Sequence, residues 1–194
     1  MGIVKTSPFL PIVAACVAAF TLVSAQTARA ANPVVVMKTS EGTMEITLDA
    51  DKSPVTVKNF LTYVDEKFYD GTLIYRDVQG FVAQGGGLSP QGSGKPEHPP
   101  IEDEAVKNGL HNTKGTISMA RTSDPNSATT QFFLNIADNT GSLDPNPAGD
   151  PNGYAVFGTI TKGQDVLDKI AALGGTDPMG PPSHTITIIS VRRK

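Results

Sequence analysis

Two stretches of the chain combine polar and apolar side chains in a way that chemistry could use. The first runs Tyr75-Arg76-Asp77-Val78-Gln79-Gly80-Phe81-Val82-Ala83-Gln84-Gly85-Gly86. The second joins Ser118-Met119-Ala120-Arg121-Thr122 to Ala128-Thr129-Thr130-Gln131-Phe132-Phe133-Leu134-Asn135. Strand alternation does not put Arg76, Val78, Phe81 and Ala83 on one face. They share one only if a turn at Gln79-Gly80 reorients the strand, in which case Arg76 and Gln84 converge beside Phe81. The residues alone leave two readings open: an apolar patch carrying an Arg and two Gln, or a core of Phe81, Phe132 and Phe133 with Arg76 as a surface cation.

Other chemistries lack their central parts. His98, His111 and His184 are far apart and show no metal-ligand spacing, so neither a zinc site nor a catalytic triad is indicated, and all three are expected at the surface. Gly85-Gly86-Gly87 is followed by no Gly-Lys-Ser/Thr and opens no helix, which makes it a permissive loop and not a phosphate cradle. Asp144, Asn146, Asp150 and Asn152 are oxygen donors of the kind calcium takes, but their Asp-Pro-Asn repeats read better as tight turns.

The elements that must position these residues are mostly strands. Val34 to Thr39 is rich in β-branched residues, and Met44, Ile46 and Leu48 alternate with Thr43, Glu45 and Thr47 across a Ser40-Glu41-Gly42 turn, the pattern of a hairpin with one buried face. Ser53 as N-cap and Pro54 at the first turn open a helix whose stripe is Val57, Phe60, Leu61, Val64 and Phe68, ending before Asp70-Gly71. Short strands are predicted at Leu73 to Tyr75, Phe81 to Gln84, Thr116 to Met119, Phe132 to Asn135, Ala155 to Ile160 and Thr185 to Val191. One more helix is predicted from Gln164 to Leu173, closed by Gly174-Gly175. Loops at 85–100, 121–128 and 140–153 carry most of the Gly and Pro. Many strands with a helix near each end indicate a β-barrel or sandwich capped by helices.

Composition sets the frame. With 194 residues, 39% of them hydrophobic and 18% charged, the chain is ordinary for a soluble globular domain and too short for two. Its 16 basic and 19 acidic residues form no basic stripe, so nucleic acid is not an expected partner. Residues 1–30 hold Lys5 and Arg29 but no acid, and an uncharged run from Thr6 to Ala28 ends in Ala28-Arg29-Ala30. That is the pattern of an export signal cut after Ala30, or alternatively after Ala25. The apolar run is broken by Pro11 and is short of the roughly 20 residues a spanning helix needs. Val13-Ala14-Ala15-Cys16 offers a second reading, a lipoprotein acylated at Cys16. With cleavage after Ala30, residues 31–194 would be a single domain of 14 basic and 19 acidic residues, net −5, with no Cys for disulfide, thiol or metal chemistry.

The two stretches, taken together, resemble the cyclophilins, the peptidyl-prolyl isomerases, from Val34 through Val191. The signal pattern and the Tyr154-Ala155-Val156-Phe157-Gly158 run are most similar to the exported bacterial type. The resemblance implies a mainly β fold, an eight-stranded antiparallel closed barrel capped by two helices. It implies Arg76, Phe81 and Gln84 as catalytic residues, with Arg76 the charged group and Gln84 its support. It further implies a substrate site of Val82, Ala120, Arg121, Gln131, Phe133, Leu143 and Tyr154. Expected partners are proline-containing polypeptides, with no cofactor, metal, nucleic acid or membrane once the signal is removed. The protein would be a periplasmic monomer, and its function the isomerisation of X-Pro bonds in exported proteins. A proline-peptide binding module or holdase, possibly lipid-anchored, is the alternative. Three positions depart from the familiar eukaryotic pattern: Val82 where Met is usual, Tyr154 where His is usual, and Ser142 where an aromatic, often Trp, is usual. In the family much of the affinity for cyclosporin is attributed to that aromatic.

Overall fold

A computed structural model describes residues 1, 2 and 31–194; the export-signal reading and Cys16 fall outside the described residues. Eight strands close into an antiparallel barrel: β1 (Val34–Thr39), β2 (Gly42–Leu48), β3 (Thr72–Asp77), β4 (Val82–Gly85), β5 (Thr116–Met119), β6 (Phe132–Asn135), β7 (Val156–Lys162) and β8 (Ile186–Arg193). Around the barrel their order is β1-β2-β7-β5-β6-β4-β3-β8, with β8 pairing back to β1. The period-two pattern acts as expected in the first hairpin. Val35 faces Ile46 and Met37 faces Met44, and all four are fully buried while their neighbours point outward.

Two longer helices, α1 (Pro54–Asp65) and α4 (Gln164–Ala171), bury one stripe each in the barrel core. Val57, Phe60, Leu61 and Val64 do so from α1, and Val166, Leu167 and Ile170 from α4. Phe60 is the centre of a ring cluster, with centroids 5.1 Å from Phe157, 5.2 Å from Tyr69 and 5.9 Å from Phe132. Edge and tilted ring contacts of this kind add to the area they bury.

Local expectations fail in three places, each for a physical reason. The first helix stops at Asp65, because Lys67 adopts φ 55° and turns the chain, so Phe68 packs on Tyr63 from beyond the helix. Ser53 precedes the helix but does not cap it: its hydroxyl donates to the Val156 carbonyl at 2.7 Å. The cap comes from across the fold, where the Glu104 carboxylate accepts the Val55 N–H at 3.1 Å and the Thr56 N–H at 2.9 Å. A buried carboxylate there satisfies free N–H groups and suits the positive end of the helix dipole. Finally, two one-turn helices appear where none was predicted, α2 (Ala105–Asn108) and, inside the 140–153 loop, α3 (Thr140–Leu143).

Candidate active site

Period-two alternation sends part of the barrel wall outward, and that outward face holds the candidate site. In β6, Phe132 and Leu134 point into the core, whereas Phe133 points the other way and joins Val82 and Leu143 in a separate apolar cluster. Phe81, Ala120 and Tyr154 pack against that cluster. Cross-strand register places Arg76 opposite Gln84, Gln84 opposite Phe133 and Phe133 opposite Ser118, one row across β3, β4, β6 and β5. The result is a cavity of about 140 Å³ lined by Arg76, Phe81, Val82, Gln84, Ala120, Arg121, Phe133, Leu143 and Tyr154. Gln131 lines the adjoining cavity that shares Gln84, Ala120 and Arg121. All ten residues expected at the site therefore lie together, and the two readings of the aromatics divide: Phe132 is core, Phe81 and Phe133 are pocket.

A β-bulge sets the polar edge. Register slips between Ile74 and Arg76, so the neighbours Tyr75 and Arg76 both reach the side chain of Gln84. Arg76 Nη1 donates to Gln84 Oε1 at 3.1 Å, and Gln84 Nε2 donates to the Tyr75 hydroxyl at 2.7 Å. The Tyr75 hydroxyl donates in turn to Gln131 Oε1. On its other side Arg76 Nε donates to the Pro178 carbonyl at 2.6 Å, and the guanidinium carbon lies 5.8 Å from the Phe81 ring centroid. Gln131 needs room to take part. An added Cβ on Gly87 would stand 2.5 Å from Gln131 Cγ, and Gly86, at φ 90°, would meet the Phe132 ring at 2.7 Å. The triple glycine is thus a close-packing and left-handed-backbone requirement.

Two arginines flank the pocket, and their charges differ in availability. Arg121 is 4% exposed in its side chain, bonds to Asp150, and donates through Nε to the Gly153 carbonyl at 3.0 Å. Asp103 Oδ2 lies 3.4 Å from the same Nε, and the guanidinium stacks 4.4 Å over the Tyr154 ring. Tyr154 meets Phe133 edge-on, with centroids 5.6 Å apart, so Arg121 braces the apolar wall. Arg76 is held only by neutral acceptors, and among the described residues no carboxylate pairs with it. Its positive charge is free for a ligand.

Behind the pocket a buried network of side-chain amides fixes the backbone. Asn139 Nδ2 donates to the Phe81 carbonyl at 2.8 Å and to Asn135 Oδ1 at 2.8 Å. Asn135 Nδ2 reaches Thr116 Oγ1 at 2.9 Å and Asn112 Oδ1 at 3.2 Å. Asn112 Nδ2 donates to the Leu143 carbonyl at 3.2 Å and the Tyr154 carbonyl at 3.1 Å. Three pocket residues from three segments thus hang on one satisfied network, the kind that rigidifies a site.

This geometry has known counterparts. Residues 34–193 match the model of the cyclophilin type peptidyl-prolyl cis-trans isomerase/CLD family. The chain belongs to the cyclophilin family. It is 48% identical to peptidyl-prolyl cis-trans isomerase A of Dickeya dadantii over 162 residues, covering 81% of this chain and 83% of that one. It is 45% identical to peptidyl-prolyl cis-trans isomerase B of Escherichia coli, over 71% of this chain and 83% of that one. Two crystal structures of a Cryptosporidium parvum cyclophilin superpose with TM-scores of 0.69 and 0.68 at 25% identity, covering 84% and 83% of this chain and 98% of theirs. The second was determined in the presence of the dipeptide Ala-Pro. The chain is accordingly an enzyme, a peptidyl-prolyl cis-trans isomerase.

Several residues of this cyclophilin's site escape sequence reasoning. Tyr75 is visible only once the bulge is known, and Asn112, Asn135 and Asn139 look like ordinary loop and strand-end polar residues. Asp144, Asn146 and Asp150 spend side-chain oxygens on Asn112, on Ala148 and on Asn152 and Arg121, as turn residues do. The three histidines are exposed, and each pairs with an acid: His98 with Glu66, His111 with Asp144 and His184 with Glu41.

Proposed function

We propose that this isomerase binds the proline ring among Phe81, Val82, Phe133 and Leu143 and lowers the X-Pro rotation barrier with the Arg76 guanidinium. We also propose that its substrates are exported polypeptides. Rotation about the bond sacrifices amide resonance, and the twisted state has a pyramidal, more basic nitrogen. No covalent bond changes, so the enzyme need only bind the twisted amide better than either planar form. The observation that carries the reading is the charge of Arg76, unpaired among the described residues, at the rim of an apolar cluster and fixed from both sides by Gln84 and the Pro178 carbonyl. A donor already positioned there costs no reorganisation when the amide twists. Ala120 and Arg121 at the end of β5 supply an edge along which the peptide backbone lies. The Ala-Pro dipeptide, in whose presence one of the similar structures was determined, is of the chemical class such a pocket would hold. A pure binding module has no need of a free guanidinium, and this weighs against the holdase reading.

Arg76→Ala tests the mechanism. Losing a charge-assisted hydrogen bond made chiefly in the twisted state lowers kcat/KM by on the order of 2 to 4 kcal/mol, about 30- to 900-fold. NMR exchange on X-Pro peptides measures the rate, and unfolding curves check that the barrel is intact. A folded variant with native turnover removes Arg76 from the mechanism.

A further inference from the structure

Asn is followed by Gly twice in the chain, at Asn108-Gly109 and Asn152-Gly153. Gly has no side chain to shield its backbone nitrogen, so that nitrogen can close on the amide carbon of the preceding Asn. The structure treats the two amides oppositely. Asn108 is 6% exposed, its Nδ2 donates to Ser53 Oγ and to the Val156 carbonyl at 3.0 Å each, and its Oδ1 accepts the Leu110 N–H at 2.9 Å. Asn152 is half-buried in the 140–153 loop and lines an open surface cavity of about 210 Å³. Its backbone N–H donates to Asp150 Oδ1 at 3.0 Å, but among the described residues its side-chain amide makes no hydrogen bond. Gly153, at φ 65°, donates its N–H to the Asp150 carboxylate, so an acceptor already stands at the proton that ring closure must remove.

Gly153 is also an anchor of the ring pocket. Its carbonyl accepts Arg121 Nε at 3.0 Å, and an added Cβ would stand 2.5 Å from the Pro145 nitrogen. Tyr154 follows directly; its N–H donates to the Leu143 carbonyl at 2.9 Å, and its ring meets Phe133 edge-on. We infer that Asn152 is a modification site of the folded enzyme, at which spontaneous deamidation unseats the Tyr154 wall of the pocket. Its effect on turnover rests on the isomerase reading of that pocket. The Gly153 nitrogen bonds to Asn152 Cγ, the Cγ–Nδ2 bond breaks, and Nδ2 leaves as ammonia with the proton the Gly153 nitrogen gives up. Water then opens the cyclic imide. Cleavage between the nitrogen and Cγ gives Asp, and cleavage between the nitrogen and the main-chain carbonyl carbon of residue 152 gives isoaspartate. Water enters and ammonia leaves, with no change of oxidation state. Isoaspartate lengthens the main chain by one carbon, and the close packing of Gly153 on Pro145 leaves no slack to absorb it.

The test ages the purified protein at mildly alkaline pH over several weeks. Peptide mapping by mass spectrometry follows acid and isoaspartate at each Asn, NMR exchange on X-Pro peptides gives kcat/KM, and unfolding curves report on the barrel. Asn152 converts first, and Asn108 lags by about tenfold or more, because its three side-chain hydrogen bonds must open. As isoaspartate accumulates the barrel stays folded while kcat/KM falls, by about tenfold at full conversion, the scale of a small misplacement in a site. Asn152→Gln, whose longer side chain closes a ring far more slowly, keeps its activity through the same ageing. Freshly prepared Asn152→Asp, which adds the charge without lengthening the chain, turns over like the native protein. Conversion of another Asn before Asn152, or none at Asn152, overturns the site. Conversion at Asn152 with unchanged kcat/KM overturns its link to the pocket, as does an equal loss in aged Asn152→Gln. If fresh protein isomerises no peptide, the isomerase reading fails, and the order of conversion still decides whether Asn152 is the site.

Discussion

Asp77 stands next to Arg76 in the chain, yet it is fully buried, and among the described residues neither carboxylate oxygen has a hydrogen-bond partner. Burial alone pushes its pKa up from 3.8 to about 6, with no neighbouring charge contributing. The folded protein therefore holds the proton more tightly than the unfolded chain does. Stability from this group is full below pH 3.8 and is lost as pH rises to about 6, after which the deficit is constant. A carboxyl held at about 6 instead of 3.8 corresponds to about 3 kcal/mol at pH 8. Asp77→Asn keeps the shape and polarity of the protonated acid but cannot ionise. We expect it to be more stable than the native protein by up to about 3 kcal/mol at pH 8, or about 6 to 12 °C in Tm for a domain of this size. The advantage shrinks to a few tenths of a kcal/mol near pH 4. Urea or thermal unfolding of both proteins at pH 4, 6 and 8 measures the difference, in which the titration of all other groups cancels. A variant no more stable at pH 8, or a difference that does not change with pH, refutes the reasoning.

Two further outcomes are expected. Ser142 is exposed on α3 beside Leu143, and the chain contains no Trp, so cyclosporin finds no indole at this edge of the pocket. Inhibition titrations should show affinity weaker by about 2 to 4 kcal/mol than an aromatic hot spot supports, with isomerase activity retained, and nanomolar inhibition refutes this. N-terminal sequencing of the protein from its native host should begin at Ala31, or else at Gln26. An acylated Cys16 at the terminus would establish the lipoprotein instead.

What the sequence made legible is what depends on short-range pattern. Alternation in Val34 to Leu48 and the stripes of α1 and α4 are local, and the structure follows them except at Phe68, which lies past the end of α1. Family resemblance assembles the pocket residues, since the residues alone leave Phe81 and Phe133 open between an apolar patch and the core. What stayed hidden depends on register between distant strands. The bulge that brings Tyr75 to Gln84 is a relation between β3 and β4, and no property of the Tyr75-Arg76 pair announces it. Thr140-Gly141-Ser142-Leu143 is one turn long and has no period to detect, so α3 was unreadable although Leu143 was not. The capping of α1 failed for the same reason: Glu104 lies some fifty residues from the N–H groups it satisfies.

The contrast between the pocket's arginines rests on long-range placement too, and it explains how the site keeps a usable charge. Arg121 sits within reach of Asp103 and Asp150, so its guanidinium is spent on holding Gly153 and the Tyr154 ring. Arg76 has an acid as its immediate neighbour in sequence, which on a flexible chain would be its natural partner. The strand prevents the pairing. Asp77 lies opposite Ala83, a core residue, while Arg76 lies opposite Gln84 on the outward face. The Asp77 carboxylate is buried beside Gly174 while Arg76 reaches Gln84 and the Pro178 carbonyl, leaving the carboxylate to bear the cost of burial and the guanidinium, among the described residues, without a counterion. Had β3 turned both to one side, an ion pair would have formed and the charge offered to a twisting amide would have been largely cancelled. The stability lost at Asp77 and the charge available at Arg76 thus follow from one property of a strand, that successive side chains point opposite ways.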